Sequence, residues 1–348
     1  PFFRDPAGNV VIGAPSATAY RKILAAPHRE PLRIFMAHMD HPGFHGKRWI
    51  SSTELSADWL GGSQLKHLAG SRVWAQTLAG AKAQGRIARA VVKTGARGMS
   101  TLSIRFPKNA WARLPNAQDI HGAFLFSKSI WKDGPLIRTR VADDLIGVFS
   151  ILSLALNLGK KKAPFIGLLT RAEEVGFIGA IAHFKEGYLT KAKREILVVS
   201  LETSRILPGA EAGKGPIVRL GDRTGVFSTA QTRALSDVAA QTMPGRHQRK
   251  LMDGGSCEAT AALVFDLPAI GLSVPLGNYH NESYQGGPES RGQGGPAPEF
   301  VHESDVEGLI ELCQHLLEPG IPWARALSKK RPALLKNLKK YSKLLYQR

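Results

Sequence analysis

Four short apolar runs, far apart in the chain, each lead to a side chain able to hold a metal ion. PLRIFMAHM at 31–39 carries His38 near its end, and PFIGLL at 164–169 leads to Glu173 and Glu174. ILVVSL at 196–201 stops on Glu202, and PAIGLSV at 268–274 runs toward His280. Runs of this length read as buried strands. Open α/β sheets place their ligands outside the carboxyl ends of such strands. The pattern therefore constrains the chain to an α/β fold in which distant residues line one sheet edge.

The stretch PFIGLLTRAEEVGFIG at 164–179 is the clearest unit. Its strand, Phe165–Leu169, precedes a polar tip with adjacent carboxylates, and Gly176 and Gly179 open an expected helix over 177–184. Neighbouring side chains on extended backbone point to opposite faces. One carboxylate of the pair can then bind metal while the other faces a water on the substrate side. A Glu-Glu pair would also suit a helix amino terminus, where the dipole favours negative charge. His38 and Asp40 are two residues apart on an expected extended chain. A metal-bound histidine needs an acceptor on its second ring nitrogen, and Asp40 is placed to supply it. His41 and His45 read as exposed loop histidines around the Pro42-Gly43 turn.

Asp143-Asp144 sits before an apolar helix expected over 145–158. The pair can cap that helix, or present one carboxylate between two metal ions. One bridging aspartate with one histidine and one carboxylate per ion fits two zinc ions and leaves open positions for water and substrate. No cysteine stands at these positions, so a thiolate site is excluded.

The remaining segments read more simply. A capped helix is expected over 19–25, and further helices over 229–242, 257–264 and 305–317, the last capped by Ser304. Residues 46–130 are short alternating runs, including 48–52, 72–77, 86–92 and 102–106, punctuated by glycines, which suits a small β-rich insert. Trp59, Trp74, Trp111 and Trp131 are expected as core or interface aromatics. Gly254-Gly255-Ser256 is not a G-x-S-x-G elbow, and its small residues suit close approach of backbone to a ligand. Gly286 to Pro298 reads as a mobile surface loop.

The 348 residues carry a formal charge of +19. Lys329, Lys330, Arg331, Lys336, Lys339, Lys340, Lys343 and Arg348 follow Leu327 with no acid among them, and the body remains basic without them. Such a surface favours anionic partners, but no pattern for specific nucleic-acid binding accompanies it. The tail reads as an amphipathic basic helix, expected to dock on its own protein, with a partner or an anionic surface as alternatives. No apolar run reaches the ~18 residues of a membrane span. Cys257 and Cys313 do not make a disulfide framework, and no signal peptide is visible, so a cytoplasmic location is expected, although the chain starts at Pro1 without a methionine.

The motifs AHMD at 37–40, ADDLIG at 142–147, TRAEEVGFIGA at 170–180, SLET at 200–203, GKGP at 213–216 and NYHNE at 278–282 resemble those of the di-zinc aminopeptidases of the glutamyl-aminopeptidase and tetrahedral-aminopeptidase type. GFHGKRWI and LGG at 60–62 resemble the start of that family's inserted β-domain, and the likeness runs over roughly residues 31–317. The resemblance implies a three-layer α/β/α catalytic domain with a mixed central sheet and an inserted small β-barrel. It implies a catalytic domain over 1–45 and 131–326, an insert over 46–130 and a basic tail over 327–348. Asp143 would bridge two divalent ions, zinc first with cobalt or manganese as alternatives. His38 and Glu202 would hold one ion, Glu174 and His280 the other. Glu173 would be the general base, and Asp40 would orient His38. Substrates would be peptides with a free amino terminus, and homo-oligomers would form through the β-domain. Two departures stand out: Glu202 where most relatives carry Asp, and Gly255-Ser256-Cys257-Glu258-Ala259 where Gly-Thr-Asp-Ala is common. A deacylase on the same site, or a non-catalytic binding protein on a peptidase scaffold, are the competing readings.

Overall fold

The computed structural model describes residues 1–93, 95, 98–159, 161–283 and 295–345. The loop expected over 286–298 lies largely outside these residues. The chain begins with a hairpin, β1 (Phe2–Arg4) and β2 (Val10–Ile12). Helix α1 (Ala17–Ala25) follows, capped by the Ser16 side chain, and leads to β3 (Leu32–His38). Six strands come next: β4 (Gly43–Ser51), β5 (Glu54–Leu60), β6 (Arg72–Thr77), β7 (Lys82–Val92), β8 (Met99–Arg105) and β9 (Ile120–Phe124). They close into a barrel in the order β4-β5-β8-β7-β6-β9. Alternate residues of each strand, such as Leu55, Ala57 and Trp59 of β5, fill its interior.

After a short hairpin, β10 (Ile130–Asp133) and β11 (Leu136–Thr139), strands and helices alternate. They are α2 (Leu145–Leu158), β12 (Phe165–Thr170), α3 (Ile178–Lys185), β13 (Ile196–Arg205), β14 (Ile217–Asp222), α4 (Thr229–Thr242), β15 (Gln248–Met252), α5 (Glu258–Val264) and β16 (Ala269–Leu276). Strand β17 (Glu299–His302), α6 (Glu303–His315) and α7 (Arg331–Leu345) complete the chain. The main sheet has eight strands in the order β1-β2-β12-β3-β13-β16-β14-β15. Its centre, β12-β3-β13-β16, is parallel, while β14 runs antiparallel to β16, so the sheet is mixed.

Period-two alternation explains why helices cover both faces. Phe35 and Ala37 of β3, with Leu197, Val199 and Leu201 of β13, meet α2, α4 and α6. Leu32, Ile34 and Met36, with Ile196 and Val198, meet α1, α3 and α5. The three-layer α/β/α body with a barrel is the expected fold class.

Some local expectations need correction. Helix α6 is capped by His302, whose Nδ1 accepts from the Ser304 amide at 3.3 Å, not by Ser304. The tail helix α7 does not dock on the body. Its described residues are exposed except half-buried Ser342, and within the fold it contacts the 3-10 turn Ala326–Lys330 that precedes it. No described helix is long and apolar enough to cross a membrane.

One polar staple ties the sheet to α6. The Arg33 side chain is fully buried, and its guanidinium donates to the carbonyls of Leu316 at 3.0 Å, Pro31 at 2.8 Å and Glu318 at 3.3 Å, with Glu30 as its ion-pair partner. Arg33→Met would take the donor from these carbonyls, that of buried Leu316 included. The expected loss is about 2–4 kcal/mol of stability, read as a lowered urea midpoint.

Candidate active site

The parallel register brings the strand ends level. Thr170 of β12 pairs with His38, and Ser200 of β13 pairs with Met36, so Glu202 reaches the height of His38. The chain leaving β12 turns back through Ala172 in the left-handed region (φ 57°), and Glu173 and Glu174 lie in a turn, not on extended backbone. Phe177 is also left-handed (φ 60°), and α3 starts one residue later than expected. His280 sits in a short 3-10 turn beyond β16 with φ 54°.

These segments converge. His38 Nε2 lies 3.4 Å from Asp143 Oδ1 and 3.9 Å from a Glu173 oxygen. His280 Nε2 lies 3.6 Å from Asp143 Oδ2 and 3.3 Å from a Glu174 oxygen. Two of the resulting groups have the composition of metal sites: His38, Asp143 and Glu202, and Asp143, Glu174 and His280, the ligand atoms of each lying within 4.8 Å of one another. A third such group joins His38 with Glu173 and Glu174. The donor set also fits a cation by its unmet polar atoms. Asp143 Oδ1, Glu174 Oε1 and Glu202 Oε1 are buried without a hydrogen-bond partner, an expensive arrangement unless a positive charge joins them.

Neighbouring groups fix the orientation of these side chains. His38 Nδ1 lies 3.0 Å from the Asp40 backbone carbonyl, which leaves Nε2 to face the cluster. The expected contact with Asp40 thus runs through its carbonyl. Its carboxylate accepts instead from the amides of Glu173 at 3.0 Å and Glu174 at 3.2 Å, clamping the turn that presents both glutamates. Asp144 takes the capping role, accepting from Gly147 N at 3.1 Å, while Asp143 turns into the cluster. The capping alternative is met by Asp144.

Three buried residues were not legible as parts of this site. His41, expected to be exposed, is 7% exposed at its side chain, with Nδ1 2.8 Å from the Asp143 carbonyl and Nε2 3.3 Å from Asn281 Oδ1. Glu299, fully buried, accepts from the amides of Ala142 at 2.6 Å, Asp143 at 3.1 Å and His280 at 3.0 Å. It joins two segments that carry cluster residues and lie more than a hundred residues apart in sequence. Glu258, in the segment that departs from Gly-Thr-Asp-Ala, is fully buried and close enough to act electrostatically on Glu173 and Glu202. A lone glutamate beyond a glycine-rich stretch carries no sequence signal, and neither does one at a helix start.

Burial and like charge together shift the site's protonation. Burial, reinforced by Asp143 and Glu258 and opposed by His38 and Arg219, pushes Glu202 up to about 8. Burial also raises Glu173 well above the usual range, opposed by His38 and reinforced by Glu202 and Glu174. Burial works against charge on His280, but Glu174 and Asp143 outweigh it and raise the imidazole to about 9. For Asp143, burial is outweighed by His38 and His280, which hold its carboxyl below the usual range.

The cluster forms the floor of a cavity of about 940 Å³. Trp59 to Gly62 of the barrel form one wall, and Arg205, Arg219 and Arg223 line the cavity elsewhere. Gly62 lies so close to His280 that a Cβ there would come within 2.1 Å of Nδ1.

The fold has counterparts among known proteins. Solved structures of peptidases share it. The TET1 peptidase of Pyrococcus horikoshii, which assembles into a tetrahedron or a large octahedral shell, is 20% identical, covering 92% of this chain and 90% of that one with a TM-score of 0.68. The TET aminopeptidase of Thaumarchaeota archaeon SCGC AB-539-E09 is 20% identical, covering 94% and 89%, with a TM-score of 0.70. Aminopeptidase APDkam598 of Desulfurococcus kamchatkensis is 19% identical, covering 92% and 86%, also at 0.70. Residues 123–285 match the model of the M42 glutamyl aminopeptidase family.

Two outcomes are expected of this site. Without metal, the folded state holds protons on Glu202 and His280 more tightly than the unfolded chain, whose ordinary values are 4.5 and 6.5. The His280 contribution is complete below 6.5 and lost as pH rises through about 9, and stability from protonated Glu202 declines between 4.5 and about 8. Thermal melts of chelator-treated protein should show a midpoint that falls from pH 5 to pH 9 (roughly the window these shifts define), and divalent metal should restore more at the alkaline end. Glu299→Gln should weaken metal binding about 10- to 100-fold, measured by competition with a chromogenic chelator.

Proposed function

We propose that the chain is a metal-dependent aminopeptidase that removes the amino-terminal residue of peptides. The observation that carries this reading is the position of Asp143: its two oxygens face different histidines, Oδ1 toward His38 and Oδ2 toward His280. A carboxylate so placed is suited to bridge two divalent ions. His38 and Glu202 would complete one position, and Glu174 and His280 the other. The histidine and carboxylate donors suit zinc, with cobalt or manganese as substitutes. When bound, such ions would polarise a peptide carbonyl and lower the pKa of a water toward about 7.

Glu173 is the general base. Its carboxylate stands beside His38, its backbone is clamped by Asp40, and its raised proton affinity suits a group that takes a proton from water and returns it to the leaving amine. His38 and His280 hold their ring planes through Asp40 and the Glu299-bound turn. Arg219 and Arg223 line the cavity, with Arg205 engaged by Glu282, and this positive charge favours an acidic substrate side chain. The division into a catalytic body, the barrel insert and the basic tail forms part of the same proposal.

Assembly into homo-oligomers is part of it too. Leu145, Phe149, Leu152 and Leu156 form an exposed stripe along α2, Leu156 being 80% exposed. A continuous apolar stripe of this kind suits a contact with another copy, additional to the one the resemblance implies for the β-domain.

Glu173→Gln should bind metal as the parent does and lose turnover of aminoacyl anilides by roughly a hundred- to ten-thousandfold. Hydrolysis at the parent rate would remove the base from the scheme. N-acylated substrates run alongside test the deacylase reading directly.

A further inference from the structure

Helix α7 is a long element whose chemistry the peptidase reading leaves unused. It spans fifteen residues, Arg331–Leu345, and at its start adjoins the turn Ala326–Lys330. Leu334, Leu338 and Tyr341 recur at helical spacing and stand 66%, 54% and 50% exposed. Leu335 and Leu344 flank them, at 54% and 67% exposed. At 100° per residue, Lys336, Lys339 and Lys340 fall on the opposite side. No acidic residue occurs after Glu318.

We propose that α7 is an interfacial helix that docks the protein on an anionic lipid surface. Leucines on one side and lysines on the other suit a helix lying in the plane of a bilayer, with its apolar side among the acyl chains and its ammonium groups at acidic headgroups. Charge decides between the candidate occupants. A second copy of this chain would bring another +19 to a contact made by a wholly basic helix. A nucleic acid would satisfy the lysines and leave five large apolar side chains in water. An anionic bilayer satisfies both sides at once.

The test uses the full chain, a form ending at Leu327, Leu334→Ser/Leu338→Ser/Tyr341→Ser and Lys336→Glu/Lys339→Glu/Lys340→Glu. None of these changes touches the catalytic cluster, so anilide hydrolysis in solution should be unchanged. Flotation with vesicles of phosphatidylserine and phosphatidylcholine, against vesicles of phosphatidylcholine alone, reads the binding. The full chain should prefer the anionic vesicles by about tenfold or more, and less at high salt; the three altered forms should lose that preference. Equal flotation of the truncated form would overturn the proposal. So would undiminished binding by the leucine-and-tyrosine variant, which would mark a purely electrostatic, nucleic-acid-like surface. A change in oligomeric size on altering the apolar side, with no vesicle binding by the parent, would instead assign the face to contacts between copies.

Discussion

Repulsion among buried carboxylates is the constraint around which this molecule is arranged. Asp143, Glu173, Glu174 and Glu202 crowd against two imidazoles at one sheet edge, with Glu258 behind them. Removing these groups from water disfavours their charge, and their mutual repulsion disfavours it further. The surrounding framework resists the dispersal this repulsion would cause. Asp40 grips the turn that carries two of the acids. Glu299 binds three amides from the segments that carry Asp143 and His280. The parallel register fixes His38 and Glu202 side by side. None of these restraints removes the excess negative charge, and divalent cations held between the acids would do so.

The sequence showed this arrangement only where local pattern carries the information. Apolar runs of strand length expose His38, Glu202 and His280, because a ligand at a strand end sits at a boundary that hydropathy marks. The layered body follows from the same alternation. Contacts made across the chain leave no such mark. His41 looked like a turn residue because its partners, the Asp143 carbonyl and Asn281, are more than a hundred residues away. Glu299 acts through backbone amides, which any residue type can supply. The role of Asp40 was half legible: the two-residue spacing placed it beside His38, but the backbone turns after Met39, so its carbonyl reaches the ring and its carboxylate serves the glutamate turn. The basic tail was expected on the protein's own surface because isolated apolar stripes usually find cover there; the apolar residues of α7 instead stand exposed.

Two features of the cluster belong to this chain's own chemistry. Glu202 is one methylene longer than the aspartate expected from the resemblance, and it lies on β13 with Arg219 exerting an opposing field. Cys257 and Glu258 fill the level behind it, the thiol pushed up to about 12 by burial and therefore uncharged. Glu258 adds a further carboxyl group close enough to act on Glu202 and Glu173.

The tight fit of Gly62 against His280 has a consequence for how such a molecule could change over time. Barrel and body meet where even one added methyl would collide with a histidine ring. Lineages are free to redecorate the barrel's outer loops, but the strand end facing the body is locked to its neighbour, so these two modules must drift together or not at all.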